Sequence, residues 1–312
     1  MSTKTMHAIQ VHDYGDADQL KLEEIPVSEP QEGEVLVRVY AAGVNPADWK
    51  VRSGYFKAFS QTTFPYIPGA DLAGVVEKVG PGVSAFQPGQ EVFGRSSNGS
   101  YAEYAIAPAN RLALKPKTLS FDEAATVPVG ATTAWQGLFD HGHLQPGQRV
   151  LITGGAGGVG LFAVQFAHWK GAHVIATAST GNADFVRSLG AETVIDYTKT
   201  RVGDAVHDVD LIFDTVGGEA LASTYPTLKR GGTLVSIAGQ PDEARLREID
   251  VHAARFSAQV NTELLNTFAQ LIDEGKIKPV VGPVFSLSEA GKAQELSQRG
   301  HGRGRIILHI AG

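Results

Sequence analysis

LITGGAGGVG, residues 151–160, is an apolar run that breaks into five glycines and one alanine before the chain turns apolar again. The spacing G-x-G-x-x-G falls on Gly155, Gly157 and Gly160. Upstream, RVLIT reads as a strand; downstream, LFAVQFAHWKG keeps its apolar residues at helical spacing and ends at Gly171. Glycines at this spacing between a strand and a helix form a turn that can cradle a pyrophosphate. Gly155 is expected to permit the tight turn, Gly157 to let the backbone approach the phosphates, and Gly160 to let helix and strand pack closely. The N–H groups of Gly157, Gly158 and Val159, with Ala156 beside them in the turn, are then expected to face the phosphates from the positive end of the helix. The alternative is a strand-to-helix turn that binds nothing.

Outward from this stretch, AHVIATA, ETVIDY, VDLIFDTV and GTLVSIAG read as further strands, and NADFVRSLG as a helix ending at Gly190. Strand and helix alternating at this spacing imply a parallel sheet with right-handed crossovers. Before it, from Ala8 to about Leu114, short alternating apolar runs broken by Gly and Pro read as a β-rich unit with many turns. Ser120 followed three residues later by Glu123 marks a helix start, and a second helix is expected after Pro128. Beyond Val251 come a helical segment, VNTELLNTFAQLIDEGK, and short extended runs ending near RIILHI. The expected division is residues 1–119, 120–255 and 256–312, with the last completing the first.

Composition narrows the function. Hydrophobic residues at 43% and charged residues at 19% are those of a soluble globular protein. A net charge of -6 without long runs of one sign points to neither nucleic acid nor an anionic membrane as partner. No stretch reaches the roughly 18 apolar residues of a membrane span, and the N-terminus lacks a signal-peptide core, so a cytoplasmic protein is expected. There are no cysteines, which removes disulfides, thiol nucleophiles and thiolate zinc sites. Of the ten histidines, His141 and His143 form a close pair in DHGHLQPGQ. That segment reads as a helix end entering a turn, a poor metal site, and no metal is expected.

The second strand bears on the choice of dinucleotide. An NAD site usually ends that strand, about 20 residues past the glycines, with an acid that accepts from the ribose 2′-OH. Here HVIATASTGN has no acid before Asp184, and its tip offers Ser179, Thr180 and Asn182. Hydroxyls and an amide can bond a 2′-phosphate that a carboxylate would repel, so NADPH is the expected cofactor. Ser179 and Thr180 could instead only shape the turn. Arg187, Lys199 and Arg303 are the candidate cations.

AAGVNPADWKVRSG (41–54), PYIPGADLAGVVEKVGPGV (65–83), QPGQEVFG (87–94), YAEYA (101–105), the glycine stretch and LGAETVIDY (189–197) together resemble the medium-chain dehydrogenase/reductase superfamily, most closely its zinc-independent, zeta-crystallin-like quinone oxidoreductases. The resemblance covers essentially the whole chain and implies an α/β protein: a GroES-like β-rich catalytic domain plus a Rossmann domain with a doubly wound parallel sheet. In zinc-dependent members the loop matching GVNPAD carries a cysteine, and the segment matching PGADLAG carries Gly-His-Glu. Here Asn45 or its neighbours and Ala70-Asp71 stand there. The resemblance further implies that Asn45 helps position cofactor or substrate, although an Asx-type turn before Pro46 is open too. Asp48 reads as a helix cap. Tyr55 lines the cleft, donating to a developing enolate or quinol oxygen, or simply packs under a loop. Tyr197 sits beside the adenosine phosphate or merely ends a strand. Val216, Ile237, Ala238 and Gly239 meet the nicotinamide half, and Thr132 faces the same cleft.

The resulting expectation is an NADPH-dependent, metal-free oxidoreductase acting on a quinone or an α,β-unsaturated carbonyl, which no motif separates, and a homodimer. The competing expectation is a non-catalytic NADPH-binding protein, redox-sensing or crystallin-like.

Overall fold

The computed structural model of the chain describes residues 4–58, 61–248, 250–300 and 302–311. Along the chain come β1 (Thr5–Gln10), β2 (Lys21–Pro26), β3 (Glu34–Gly43), α1 (Pro46–Arg52), β4 (Asp71–Val79), β5 (Glu91–Arg95), β6 (Tyr104–Pro108) and β7 (Leu112–Leu114). Two short helices follow, α2 (Phe121–Ala125) and α3 (Pro128–Trp135). The alternating part comprises β8 (Arg149–Ile152), α4 (Gly160–Trp169), β9 (His173–Ala178), α5 (Ala183–Ser188), β10 (Thr193–Asp196), α6 (Val202–Ala205), β11 (Val209–Asp214), α7 (Gly218–Thr224), β12 (Leu228–Ser236), α8 (Glu243–Glu248) and β13 (His252–Ala254). The chain closes with α9 (Thr262–Asp273), β14 (Val281–Ser286), α10 (Ala290–Arg299) and β15 (Arg305–His309).

These elements form two compact units. The first runs to Val129 and regains Val260–Gly275 and the chain from Pro279; the second is Gly130–Gln259 with Lys276–Lys278. In the first unit one sheet has the order β14-β15-β3-β4-β5-β7, with β6 also on β3. β15 returns antiparallel to β3, pairing Ile307 with Gly43, which ties the end of the chain into the β-rich part. The second unit is a wholly parallel sheet, β10-β9-β8-β11-β12-β13. Its central strands are buried on both faces, and α4 is buried from Gly160 to Ala167, which is why β8, β11 and LFAVQFA read as unbroken apolar runs.

The capping box at Ser120 is present: Glu123 N–H donates to Ser120 Oγ at 3.2 Å and Ser120 N–H to the Glu123 carboxylate at 2.8 Å. The helix it starts nevertheless belongs to the first unit, so the division falls near 129 rather than at 119, and the later one at 259 rather than 255. The reason is packing. α2 lies on β3 and β4, so close that a Cβ on Gly43 would meet Ala125 O at 2.6 Å. Among the described residues no helix is long and apolar enough to cross a membrane.

Candidate active site

The glycine turn divides its labour differently from the expectation. Gly154, not Gly155, takes the left-handed backbone, at φ +67°. Gly155 is an interior contact, since a Cβ there would lie 3.0 Å from Val186 Cγ1 and 3.1 Å from Ala176 Cβ. At Gly160 a Cβ would come within 2.1 Å of Gly154 O, so this position must be bare for the helix to start against the turn. Gly157 is the exception: a Cβ would meet only Gly154 O, at 3.4 Å, and otherwise open space. Among the described residues nothing there would crowd a side chain, so the turn is open at this position. The N–H of Gly157 is already donated to Gly154 O at 3.0 Å, contrary to its expected role as a phosphate donor. Ala156 is buried, Gly158 is half-buried, and half-buried Val159 caps α4 without a side-chain hydrogen bond. This bare, helix-opening turn fits a dinucleotide pyrophosphate.

At the carboxyl edge of the same sheet stands a group the sequence did not disclose. Asp214, fully buried at the end of β11, accepts from Thr153 Oγ1 (2.8 Å), Ser236 Oγ (2.7 Å), the N–H of Val216 (3.2 Å) and the N–H of Gly217 (3.1 Å). Thr153 Oγ1 takes the N–H of Thr215 at 2.9 Å, and Ser236 Oγ that of Gly239 at 3.0 Å. One carboxylate thus ties together the ends of β8, β11 and β12. It shapes both loops expected to meet a nicotinamide: Val216, exposed, lies two residues past Asp214, and Ile237, Ala238 and Gly239 follow Ser236. Thr132 in α3 is fully buried, and its hydroxyl has no hydrogen-bond partner among the described residues.

The β9 tip also differs. Ser179 and Asn182 bond each other, with Asn182 Nδ2 donating to Ser179 Oγ at 3.3 Å. Exposed Thr180 donates instead to Asp196 at the end of the next strand, at 2.5 Å. Tyr197 follows, its N–H donating to Ala178 O at 3.3 Å, its ring exposed. A carboxylate therefore does reach the tip, by way of β10.

In the first unit, Asn45 is the N-cap of α1 and is buried. Its N–H donates to Asp48 Oδ2 (2.8 Å), its Nδ2 donates to Asp71 Oδ2 (2.9 Å), and its Oδ1 accepts from Arg305 Nη1 (2.6 Å). Tyr101 OH donates to Asp48 Oδ2 at 2.9 Å, and Val129 N–H to Asp71 Oδ1 at 2.9 Å. Each end of the Asn45 amide thus makes one bond within the protein, which makes the residue a structural node. With Asn45 as the N-cap, Asp48, expected as the cap, instead sits at the third helical position and supplies the reciprocal half of the capping box. Burial pushes its carboxyl up to about 7, and the neighbouring Asp71 adds to the rise. Burial also raises Asp71, against the pull of the Arg305 guanidinium. Tyr55 lies apart from this cluster, 62% exposed, its ring edge-on to Phe56 at 5.1 Å.

His141 stacks on Phe256 at 4.4 Å, and His143 takes a left-handed backbone at φ +50°. Among the described residues no three His, Asp or Glu side chains are grouped to hold a metal ion.

Residues 31–117 match the family described as alcohol dehydrogenase GroES-like domain, and residues 189–308 that described as zinc-binding dehydrogenase. The chain is 38% identical to the 2-methylene-furan-3-one reductase of Solanum lycopersicum over 97% of its own length and 79% of the relative's. It is also 38% identical to the chloroplastic NADPH-dependent alkenal/one oxidoreductase of Arabidopsis thaliana, over 98% of its own length and 80% of the relative's. Among solved structures, the quinone oxidoreductase from Coxiella burnetii superposes with a TM-score of 0.90 at 34% identity, covering 98% of this chain and 100% of that one. The chain is an oxidoreductase rather than a purely structural or sensing protein. It belongs to the medium-chain dehydrogenase/reductase superfamily, in its quinone oxidoreductase branch.

Proposed function

We propose that the chain binds NADPH and reduces a quinone or the carbon–carbon double bond of an α,β-unsaturated carbonyl without a metal ion. The main support is its similarity over nearly the full chain to a relative named both for NADPH and for an alkenal/one substrate. The open side of Gly157 supports a dinucleotide from within the molecule.

When bound, the nicotinamide supplies the hydride. The protein's part is to hold and shield. Gly157 admits the pyrophosphate at the start of α4, and the Asp214 hydrogen bonds fix the 215–217 and 236–239 loops that border the nicotinamide half. The Thr132 hydroxyl, without a hydrogen-bond partner among the described residues, is the donor this reading assigns to the carboxamide. Tyr55, exposed on the turn after α1, is the available phenol for donation to an enolate or quinol oxygen. The metal-free part rests on the donor set. Ala70 offers no side-chain ligand where zinc-dependent members have histidine, and the Asn45 amide is already bonded to Asp71 and Arg305. Quinones and enones suit such a site, because the charge that follows hydride addition is delocalised onto oxygen. The reading includes a homodimer in solution, measurable by light scattering.

The test is NADPH oxidation with 1,4-benzoquinone and with a 2-alkenal, before and after treatment with a chelator. Turnover of at least one acceptor, unchanged by the chelator, is expected. Oxidation by neither acceptor overturns the substrate reading, and activity that disappears with the chelator overturns the metal-free one.

A further inference from the structure

The tip of β9 carries no acid of its own, yet the parallel register sets Asp196 of β10 beside Ala178. Asp196 Oδ2 accepts from Thr180 Oγ1 at 2.5 Å and lies 3.3 Å from Lys199 Nζ. Asp196 Oδ1 accepts from the Thr198 hydroxyl at 2.6 Å and from the Thr198 N–H at 3.1 Å. These bonds, that from Thr180 foremost, hold the Asp196 carboxyl well below the usual carboxylate range. Lys199 is leashed to the same residue by its backbone, its N–H donating to Asp196 O at 3.0 Å. A groove of about 530 Å³ opens here, lined by Thr180, Arg187, Asp196 and Lys199 among others. Arg187 is bonded to the fully solvated Asp184 at 2.6 Å, whereas Lys199 pairs with Asp196 itself, in register with the strand tip.

We propose that the Asp196–Lys199 pair sets the choice between NADPH and NADH. It rests on the dinucleotide reading above. With NADPH, Lys199 swings from Asp196 to the 2′-phosphate; its flexible stem and three donors allow it to bond the phosphate while its backbone stays in place. Thr180 and Thr198 go on hydrogen-bonding the Asp196 carboxylate, and the Lys199 ammonium beside it offsets the repulsion between that carboxylate and the phosphate. With NADH, Asp196 accepts from the ribose 2′-OH in place of Thr180, the task that other dinucleotide sites give to an acid at the end of the second strand. The acid has moved one strand along, and the lysine that answers it travels with it.

The experiment measures binding of 2′,5′-ADP and 5′-AMP by calorimetry, and the NADPH-to-NADH ratio of kcat/KM, for the wild type and three variants. Lys199→Ala is expected to weaken 2′,5′-ADP about tenfold while leaving 5′-AMP unchanged, and to lower the ratio by a similar factor. Lys199→Arg should retain most of both. Asp196→Asn is expected to move the ratio the other way, toward NADPH. Thermal midpoints close to wild type in all three show that folding is not the cause. If 2′,5′-ADP binding and the ratio stay within twofold of wild type in Lys199→Ala and Asp196→Asn, the role of the pair is overturned while the dinucleotide reading stands. If the wild type binds neither nucleotide and oxidises neither cofactor, the dinucleotide reading falls and this proposal with it.

Discussion

The two units each bury a carboxylate centre, and they stabilise it by opposite means. In the first, Asp48 and Asp71 share one guanidinium, Arg305, through Asn45, with Tyr101 completing the set. In the second, Asp214 has no cation among its hydrogen-bond partners and is held by two hydroxyls and two backbone N–H groups. The charged cluster holds elements distant in sequence, from α1 to β15, to one another, and costs desolvation that only a complete set of partners offsets. The dipolar centre spends its bonds on loops. Its geometry defines a rim rather than a core, which is what a binding edge needs. The same residue type is a rivet in one unit and a template in the other.

The difference can be broken at Arg305. Arg305→Met leaves two buried acids without their cation, and urea unfolding should show a loss of about 3–5 kcal/mol. Next comes Asp214→Asn. It turns an amide NH₂ toward donors and should cost about 2–3 kcal/mol. If the loops it orders border the cofactor's nicotinamide half, as proposed, NADPH should bind about tenfold more weakly while 2′,5′-ADP is little changed; equal losses for both ligands would count against the template role. A smaller effect concerns pH. The Asp48 carboxyl sits at about 7 in the fold and near 4 when unfolded, so the folded state holds the extra proton between these values. Its contribution is therefore full below about pH 4 and is lost as pH rises toward 7. Thermal midpoints of the wild type should fall across that window relative to Asp48→Asn, and parallel curves would show that Asp48 does not titrate there. The smallest effect is expected at Tyr55, 62% exposed: Tyr55→Phe should leave stability within about 0.5 kcal/mol. If its hydroxyl donates to the developing oxyanion, kcat falls while KM for NADPH holds.

What could be read in the sequence was whatever is encoded locally. LITGGAGGVG announced strand, turn and helix because glycine spacing and apolar periodicity act over a few residues. Ser120 and Glu123 announced a helix for the same reason. The allegiance of that helix was not legible, since its contact with Gly43 spans the length of the β-rich part. Asp214, Thr153 and Ser236 looked like ordinary strand-end residues. Only the parallel register sets them side by side, 61 and 22 positions apart in the chain. Asp196 escaped for a related reason: reading along β9 finds no acid, and only the neighbouring strand supplies one. Asn45 was singled out through resemblance to zinc-independent quinone oxidoreductases, but its bonds to one buried acid and one buried guanidinium could not be read from the sequence.

The glycine turn carries a record that could be read across descendants of this chain. Substitution at 160 is barred by the backbone of the turn itself, and the positive φ at 154 disfavours a side chain whether or not anything is bound. At 157 a side chain would meet only Gly154 O, at 3.4 Å, and under the proposed function the dinucleotide is what keeps it bare. A lineage that abandoned its dinucleotide would go on selecting glycine at 154 and 160 for folding, while 157 drifted first. Under that proposal the middle glycine, not the whole pattern, is the position that reports whether a relative binds.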